Sequence, residues 1–158
     1  MVEGQNTKVI RFKLPATVAS DATSSTYFDR RGYNMAKVLV CCDEAPATNT
    51  SQKYTSLVVM HSPTTHISNA TALSNGTGTT NTTASATQFV LPAHNDTANA
   101  QILQFNINCQ MLERYIHVKL QASSSGIIID NTAVLFRAEQ APDTATEAGT
   151  AAFVIMPT

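Results

Sequence analysis

Along residues 103–110 the chain alternates without a fault: Leu103, Phe105, Ile107 and Cys109 fall on one side, Gln104, Asn106, Asn108 and Gln110 on the other. A period of two marks a strand that buries one face and wets the other, so the segment reads as antiparallel strand with its amide row toward solvent. The pattern breaks at Met111-Leu112-Glu113, which leaves room for one turn, and resumes with Ile116, Val118 and Leu120 opposed to Tyr115, His117 and Lys119. Ser123-Ser124-Ser125-Gly126 supplies turn residues; Ile127-Ile128-Ile129, Asp130-Asn131-Thr132 and residues 133–140 follow. Taken in order, these segments predict adjacent strands of a meander. Their phase predicts Phe105, Ile107, Val118, Leu120, Val134 and Phe136 as the large core anchors.

Upstream, residues 9–14 set Ile10, Phe12 and Leu14 against Val9, Arg11 and Lys13. Pro15 is expected to end this strand, since proline cannot donate to a ladder, and an edge or interface position is expected for it. Tyr27-Phe28 reads as a short strand closed by Asp29-Arg30-Arg31-Gly32. Residues 36–42 carry apolar side chains on both faces, which predicts a central strand, and residues 55–61 read similarly. From about 62 to 86 the chain is almost entirely Thr, Ser, Asn, Ala and Gly. Such a stretch has little apolar area to offset the entropy of ordering it, so a long polar loop is predicted, with Asn75-Gly76 and Gly78 as turn formers. Residues 87–91 resume strand until Pro92, and residues 93–99 read as a second polar loop. No segment carries a convincing helical pattern. The whole is an all-β chain, one domain over residues 1–158.

The tail follows a different rule. After small and acidic residues from about 141 to 149, Ala151 to Met156 is apolar on both faces. An apolar terminus left in water is costly, so the segment at about 141–158 is expected either as the last strand of a sandwich or as an arm added to a neighbouring subunit's sheet. Phe153, Val154, Ile155 and Met156, together with Ile10 and Phe12, are the candidate interface residues.

Two stretches carry a resemblance. Phe105-Asn106-Ile107, then Glu113-Arg114-Tyr115-Ile116-His117-Val118-Lys119-Leu120, then residues 133–142 look like the C-terminal half of tailed-bacteriophage capsid decoration, or cement, proteins. Residues 25–40, with Asp29, Gly32 and Tyr33 between two strand patterns, resemble the N-terminal pattern of the same family. The resemblance implies a single antiparallel β-sandwich, jelly-roll-like, with no catalytic residues. It further implies a structural virion protein on the capsid exterior, bridging neighbouring capsomers of the major capsid protein as a homo-oligomer, with a trimer preferred over a dimer. The long polar insert in the middle of the chain departs from so compact a pattern. The competing reading is a carbohydrate- or receptor-binding sandwich on a phage tail or fibre, because jelly rolls host both kinds of work. Absence of Trp, and of any aromatic residue in the polar insert, weighs against it.

Composition narrows the remaining classes. Charged residues make up 13% of the chain, about half the usual share, and the formal net charge is -1. A phosphate backbone needs clustered Lys and Arg, and Arg30-Arg31 with Arg11 and Lys13 are too few, so no nucleic-acid partner is expected. No apolar run approaches a membrane span, and the N-terminus lacks the basic start and apolar core of a signal peptide; synthesis in the host cytoplasm is expected. Cys41, Cys42 and Cys109 sit inside strand patterns, where a reduced thiol acts as a small hydrophobe. Adjacent Cys41 and Cys42 point to opposite faces, so at most one can share the core with Cys109, and no disulfide is expected. His61 and His66 have neither strand-face nor helix-face spacing for a metal. His94 is expected in a loop and His117 at the surface. No nucleophile elbow or phosphate-cradling glycine motif appears, and the adjacent carboxylates Asp43 and Glu44 point apart and cannot flank one bond, so neither an enzyme nor a cofactor is expected. The Asn-x-Ser/Thr sequons are those any Asn- and Thr-rich chain generates.

Overall fold

Rows of Val, Ile and Leu at alternate positions leave water by facing other such rows, and this chain does so by building two five-stranded sheets. The computed structural model describes residues 8–43, 53–79, 88–92, 100–123, 126–136 and 152–156. The strands are β1 (Lys8–Val18), β2 (Thr23–Asp29), β3 (Met35–Asp43), β4 (Tyr54–Ser62), β5 (Thr71–Thr79), β6 (Gln88–Val90), β7 (Gln101–Asn108), β8 (Tyr115–Ala122), β9 (Ile127–Phe136) and β10 (Ala152–Met156). The first sheet has the order β1-β9-β3-β7-β10 and the second β2-β8-β4-β5-β6. Within them, β1-β9-β3-β7 and β2-β8-β4-β5 form the two facing sets of a jelly roll. Pairing is antiparallel except at two edges, where β10 joins β7 and β6 joins β5 in parallel.

The expected meander is corrected by this order. Strands β7, β8 and β9 are consecutive in sequence, yet β7 and β9 flank β3 in the first sheet while β8 lies in the second. A meander needs tight in-plane hairpins; after β7 and again after β8 the chain instead continues in the other sheet, across a gap of about 10 Å. Gly126 serves the second crossing, because its φ of +67° is left-handed and an added Cβ would lie 2.9 Å from the Val18 carbonyl oxygen.

The core is made of one row from each inner strand. Val38, Val40, Cys42, Leu103, Phe105, Ile107, Ile129 and Leu135 from the first sheet meet Phe28, Leu57, Val59, Ile116, Val118 and Leu120 from the second. Phenylalanines close both lateral sides: Phe12 lies 5.0 Å from Phe28 and Phe89 lies 5.6 Å from Phe105, centroid to centroid. Strand β9 corrects the expected phase. Its buried row is Ile127, Ile129, Asn131, Ala133 and Leu135, so Val134 and Phe136 are half-buried on the outer face. Asn131 occupies a core-side position and donates to Thr26 Oγ1 at 3.0 Å, a polar link between the sheets that hides the row from a purely apolar reading.

Pro15 does not end β1. The strand runs to Val18 with register shifts between Arg11 and Lys13 and between Lys13 and Ala16, and Pro15 sits in the second irregularity of this edge strand, where no ladder bond is required of it. The loop predicted at 62–86 is likewise corrected over much of its length: Ile67–Asn69 is a 3-10 turn and Thr71–Thr79 is β5, paired with β4, while residues 80–86 lie outside the described residues. The inward side of β5 carries Leu73, Gly76 and Gly78, too little apolar surface to register as strand. Gly78 lies under a ring, for a Cβ there would run into the Phe89 ring. The ring supplies the burial that the glycine lacks.

Leu135→Ala is expected to cost about 2–5 kcal/mol, and Phe136→Ala less than half as much, because only the leucine leaves a closed cavity. Chemical denaturation of the two variants checks this; equal losses would place β9 in the opposite phase.

Candidate interface on the first sheet

The interface residues expected from sequence fall at opposite edges of one sheet. Strand β1 carries Ile10 and Phe12 at one end of the order, and β10 carries Phe153, Val154, Ile155 and Met156 at the other. Four strand spacings, about 19 Å, separate the two edges. They therefore form no single patch, and the outer face of β9, β3 and β7 lies between them.

Register gives that face its composition. Val9 pairs with Val134, which pairs with Lys37, which pairs with Asn106; Ile155 aligns with Asn106. In the next row Arg11, Thr132, Leu39 and Gln104 follow one another, with Phe153 aligned to Gln104. A third row runs Asp130, Cys41, Ile102. Val9 and Ile102 are exposed, and Leu39, Cys41, Val134 and Phe136 are half-buried, so apolar side chains are interspersed with polar ones on a face that a solvated sheet would fill with polar ones alone. The charges on it are largely neutralised: Arg11 holds Asp130 through Nε at 3.1 Å and Nη2 at 2.6 Å, a two-point grip that raises the guanidinium pKa through its hydrogen bond to the carboxylate.

Gln104 and Asn106 correct the expectation of a wet amide row. They are 2% and 3% exposed, on a strand that lies between β3 and β10. Gln104 Nε2 donates to Asn106 Oδ1 at 3.3 Å, and Asn106 Nδ2 has no hydrogen-bond partner among the described residues. At β1, Ile10 and Phe12 are half-buried, with Phe12 against Phe28, while Val9 and Leu14 are exposed along the same edge. In this single chain β10 pairs in parallel with β7, with Val154 aligned to Phe105 and Met156 to Ile107.

The titratable residues serve packing and turns. His117 is 1% exposed, not a surface residue, because the chain after β4 crosses the outer face of the second sheet and brings the Thr64 carbonyl within 3.2 Å of Nε2. Burial lowers its pKa. His61 Nδ1 accepts the Glu113 N–H at 3.3 Å, His66 is exposed beside the 3-10 turn, and His94 lies outside the described residues. Among the described residues no three His, Cys, Asp or Glu converge as a metal site would need, and no helix is long and apolar enough to cross a membrane. All three cysteines are free thiols. Burial pushes the Cys42 thiol up to about 12 and the Cys109 thiol up to about 11, whereas half-buried Cys41, on the outer face, is raised less far.

Sequence reading missed the outer row of Leu39, Val134 and Ile102. Each was visible as an apolar residue out of phase with its neighbours, but their adjacency arises only when β9, β3 and β7 come into register. Comparison with protein-family models and with curated proteins gives no match to this chain.

Two outcomes follow from the thiols. A maleimide reagent near pH 7.5 is expected to modify Cys41 in the native protein and to reach Cys42 and Cys109 only after unfolding; peptide mass mapping reads the pattern, and simultaneous modification of all three would refute the burial. Because the unfolded chain ionises these thiols near 9.0 while the fold keeps them protonated, stability contributed by the buried thiols is present below pH 9 and falls above it, by about 1.4 kcal/mol per pH unit per ionising thiol until their folded values are reached. Denaturation midpoints from pH 8 to 10.5, compared with Cys42→Ala, check the sign.

Proposed function

We propose that this chain is a structural virion protein that decorates a phage capsid and stabilises it by bridging neighbouring subunits of the major capsid protein. The observation that carries this reading is the jelly-roll strand order together with the place of the resembling stretches: residues 25–40 become β2, its turn and β3, and residues 105–107, 113–120 and 133–136 become parts of β7, the approach to β8, β8 itself and β9. The stretches that carry the resemblance thus fall on β3, β7 and β9 of the first sheet and on β2 and β8 of the second.

The physics of decoration asks for little chemistry. A protein that binds the assembled lattice and not its free subunits stabilises the lattice by linkage. Several weak contacts made from one oligomer multiply through effective concentration, so no single contact need be strong. The apolar residues on the outer face of the first sheet support a docking role, since lattice contact removes Leu39, Val134 and Ile102 from water at about 25 cal/mol per Å². The edge strands β1 and β10 are the places where copies join into a homo-oligomer, a trimer in preference to a dimer on the resemblance. Synthesis in the host cytoplasm and final residence on the capsid exterior complete the reading, and neither nucleic acid, membrane nor catalysis enters it.

Sedimentation of the protein with purified undecorated heads, alongside intact host cells, tests the proposal. Saturable co-sedimentation with heads at many copies per particle is expected; binding confined to cells would favour a receptor-binding module of a tail or fibre. Val134→Asp should weaken head binding by about tenfold or more, equivalent to about 1.4 kcal/mol, while leaving the far-UV circular dichroism unchanged. Truncation after Gly149 should lower the mass measured by light scattering, and an unchanged oligomer would move the subunit contact away from β10.

A further inference from the structure

The second sheet turns a different surface outward. Strands β2 and β8 pair so that Tyr27 stands beside His117, Asp29 beside Tyr115 and Ser25 beside Lys119. Three rings gather there: Tyr27 lies 5.9 Å from Tyr115 in edge-on geometry, with planes at 88°, and 5.5 Å from His117. The neighbouring imidazole is buried and lies 3.2 Å from the Thr64 carbonyl, so Tyr27 packs beside a side chain held in place. Tyr27 itself is 45% exposed. At the rim, Arg114 lies 5.0 Å over the Tyr115 ring and donates to Asp29 Oδ2 from Nε at 3.0 Å and from Nη2 at 2.6 Å. Asp29 Oδ1 accepts the Arg31 N–H at 3.0 Å, which fixes the carboxylate in the plane of the pair.

We propose that this cluster is a binding site for a neutral hexopyranoside, such as a terminal sugar of a surface polysaccharide. A pyranose ring has an apolar face of axial C–H groups, and a supported, partly exposed tyrosine ring matches that face at low entropic cost because it has few rotatable bonds. The equatorial hydroxyls of the same sugar need both acceptors and donors, and the Asp29 carboxylate with the Arg114 guanidinium supplies them side by side at the rim. The pair carries no net charge, which suits a neutral sugar over a uronate or a phosphate. Alternative occupants fit less well: an apolar peptide would leave the ion pair without a use, and an anionic ligand would compete with Asp29. The site lies on the sheet opposite the proposed capsid-docking face, so a decorating protein would hold it outward. It does not depend on that docking, and its test uses no capsid.

The test is a two-dimensional ¹H–¹⁵N NMR titration of the full chain with methyl β-D-glucopyranoside, methyl β-D-galactopyranoside and methyl α-D-mannopyranoside, each to about 50 mM, with sorbitol as an open-chain control that offers hydroxyls but no rigid C–H face. Saturable shifts confined to Tyr27, Asp29, Arg114, Tyr115 and His117 are expected with at least one pyranoside and not with sorbitol. Tyr27→Phe should retain the response, since stacking does not use the hydroxyl, and Tyr27→Ser should abolish it while the remaining spectrum stays native. Arg114→Gln, which leaves every ring in place, should weaken binding by about threefold or more. No saturable shift with any of the three sugars, equal shifts with sorbitol, or a response that survives Tyr27→Ser would each overturn the proposal. Failure here would leave co-sedimentation with heads untouched, and the reverse holds as well.

Discussion

Everything in this fold depends on closing the inner faces of two sheets against each other. Strands β3, β7 and β9 each give a complete row to the gap, and β8 and β4 answer from the other side. Once those rows are committed, the remaining strands have little freedom. A shift of one residue in β3 or β7 would turn Val38, Val40, Phe105 and Ile107 into water and bring Lys37, Gln104 and Asn106 inside, exchanging hydrophobic burial for unpaired polar groups. The same constraint explains why consecutive strands do not pair. A chain that alternates between sheets brings residues distant in sequence together, and one such set, β1-β9-β3-β7, draws on both ends of the chain.

The ends of the sandwich are closed by polar groups in place of apolar ones. Arg30 reaches from the β2–β3 turn and donates to the carbonyls of Glu113 at 3.0 Å, Tyr33 at 3.4 Å and Leu112, tying that turn to the one after β7. Backbone carbonyls at turns have no ladder partner, and one guanidinium with several donors satisfies more than one of them together. Elsewhere Tyr54 is fully buried and places its hydroxyl 2.9 Å from the Pro92 carbonyl and 3.0 Å from Gln101 Oε1, linking the chain around β6 to β7. Asn131 does comparable work in the interior by reaching Thr26 across the gap. These bonds specify which turn meets which, whereas the hydrophobic rows alone would accept several registers.

The two outer faces differ in chemistry although they belong to one small domain. Exposed and half-buried apolar side chains around a self-neutralised ion pair mark the first, and rings beside a buried histidine mark the second. A sandwich whose faces differ this way can hold one partner and show another, and it can do so rigidly, because each face is built on ladder-bonded strands and not on loops. The proposed capsid contact uses the first property and the proposed sugar site the second.

What the sequence determined by itself was the local state of most strands: alternation at residues 103–108, 116–120 and 38–42 follows from side-chain period alone, and it placed Phe105, Ile107, Val118 and Leu120 inside. It also marked β1 as an edge and allowed only one of Cys41 and Cys42 into the core. What it could not determine was whatever depends on a partner strand. Val134 and Phe136 looked like core because Ile127-Ile128-Ile129 carries no phase and Asn131 hides the true one. The segment 71–79 looked like loop because its inward side is Leu73, Gly76 and Gly78, and the missing burial comes from Phe89. His117 looked wet because its coverage comes from the chain near Thr64. In each case the deciding atoms lie far along the chain. Side-chain period is a property of one strand, but burial is a property of the sheet, and only the tertiary structure brings the second to bear on the first.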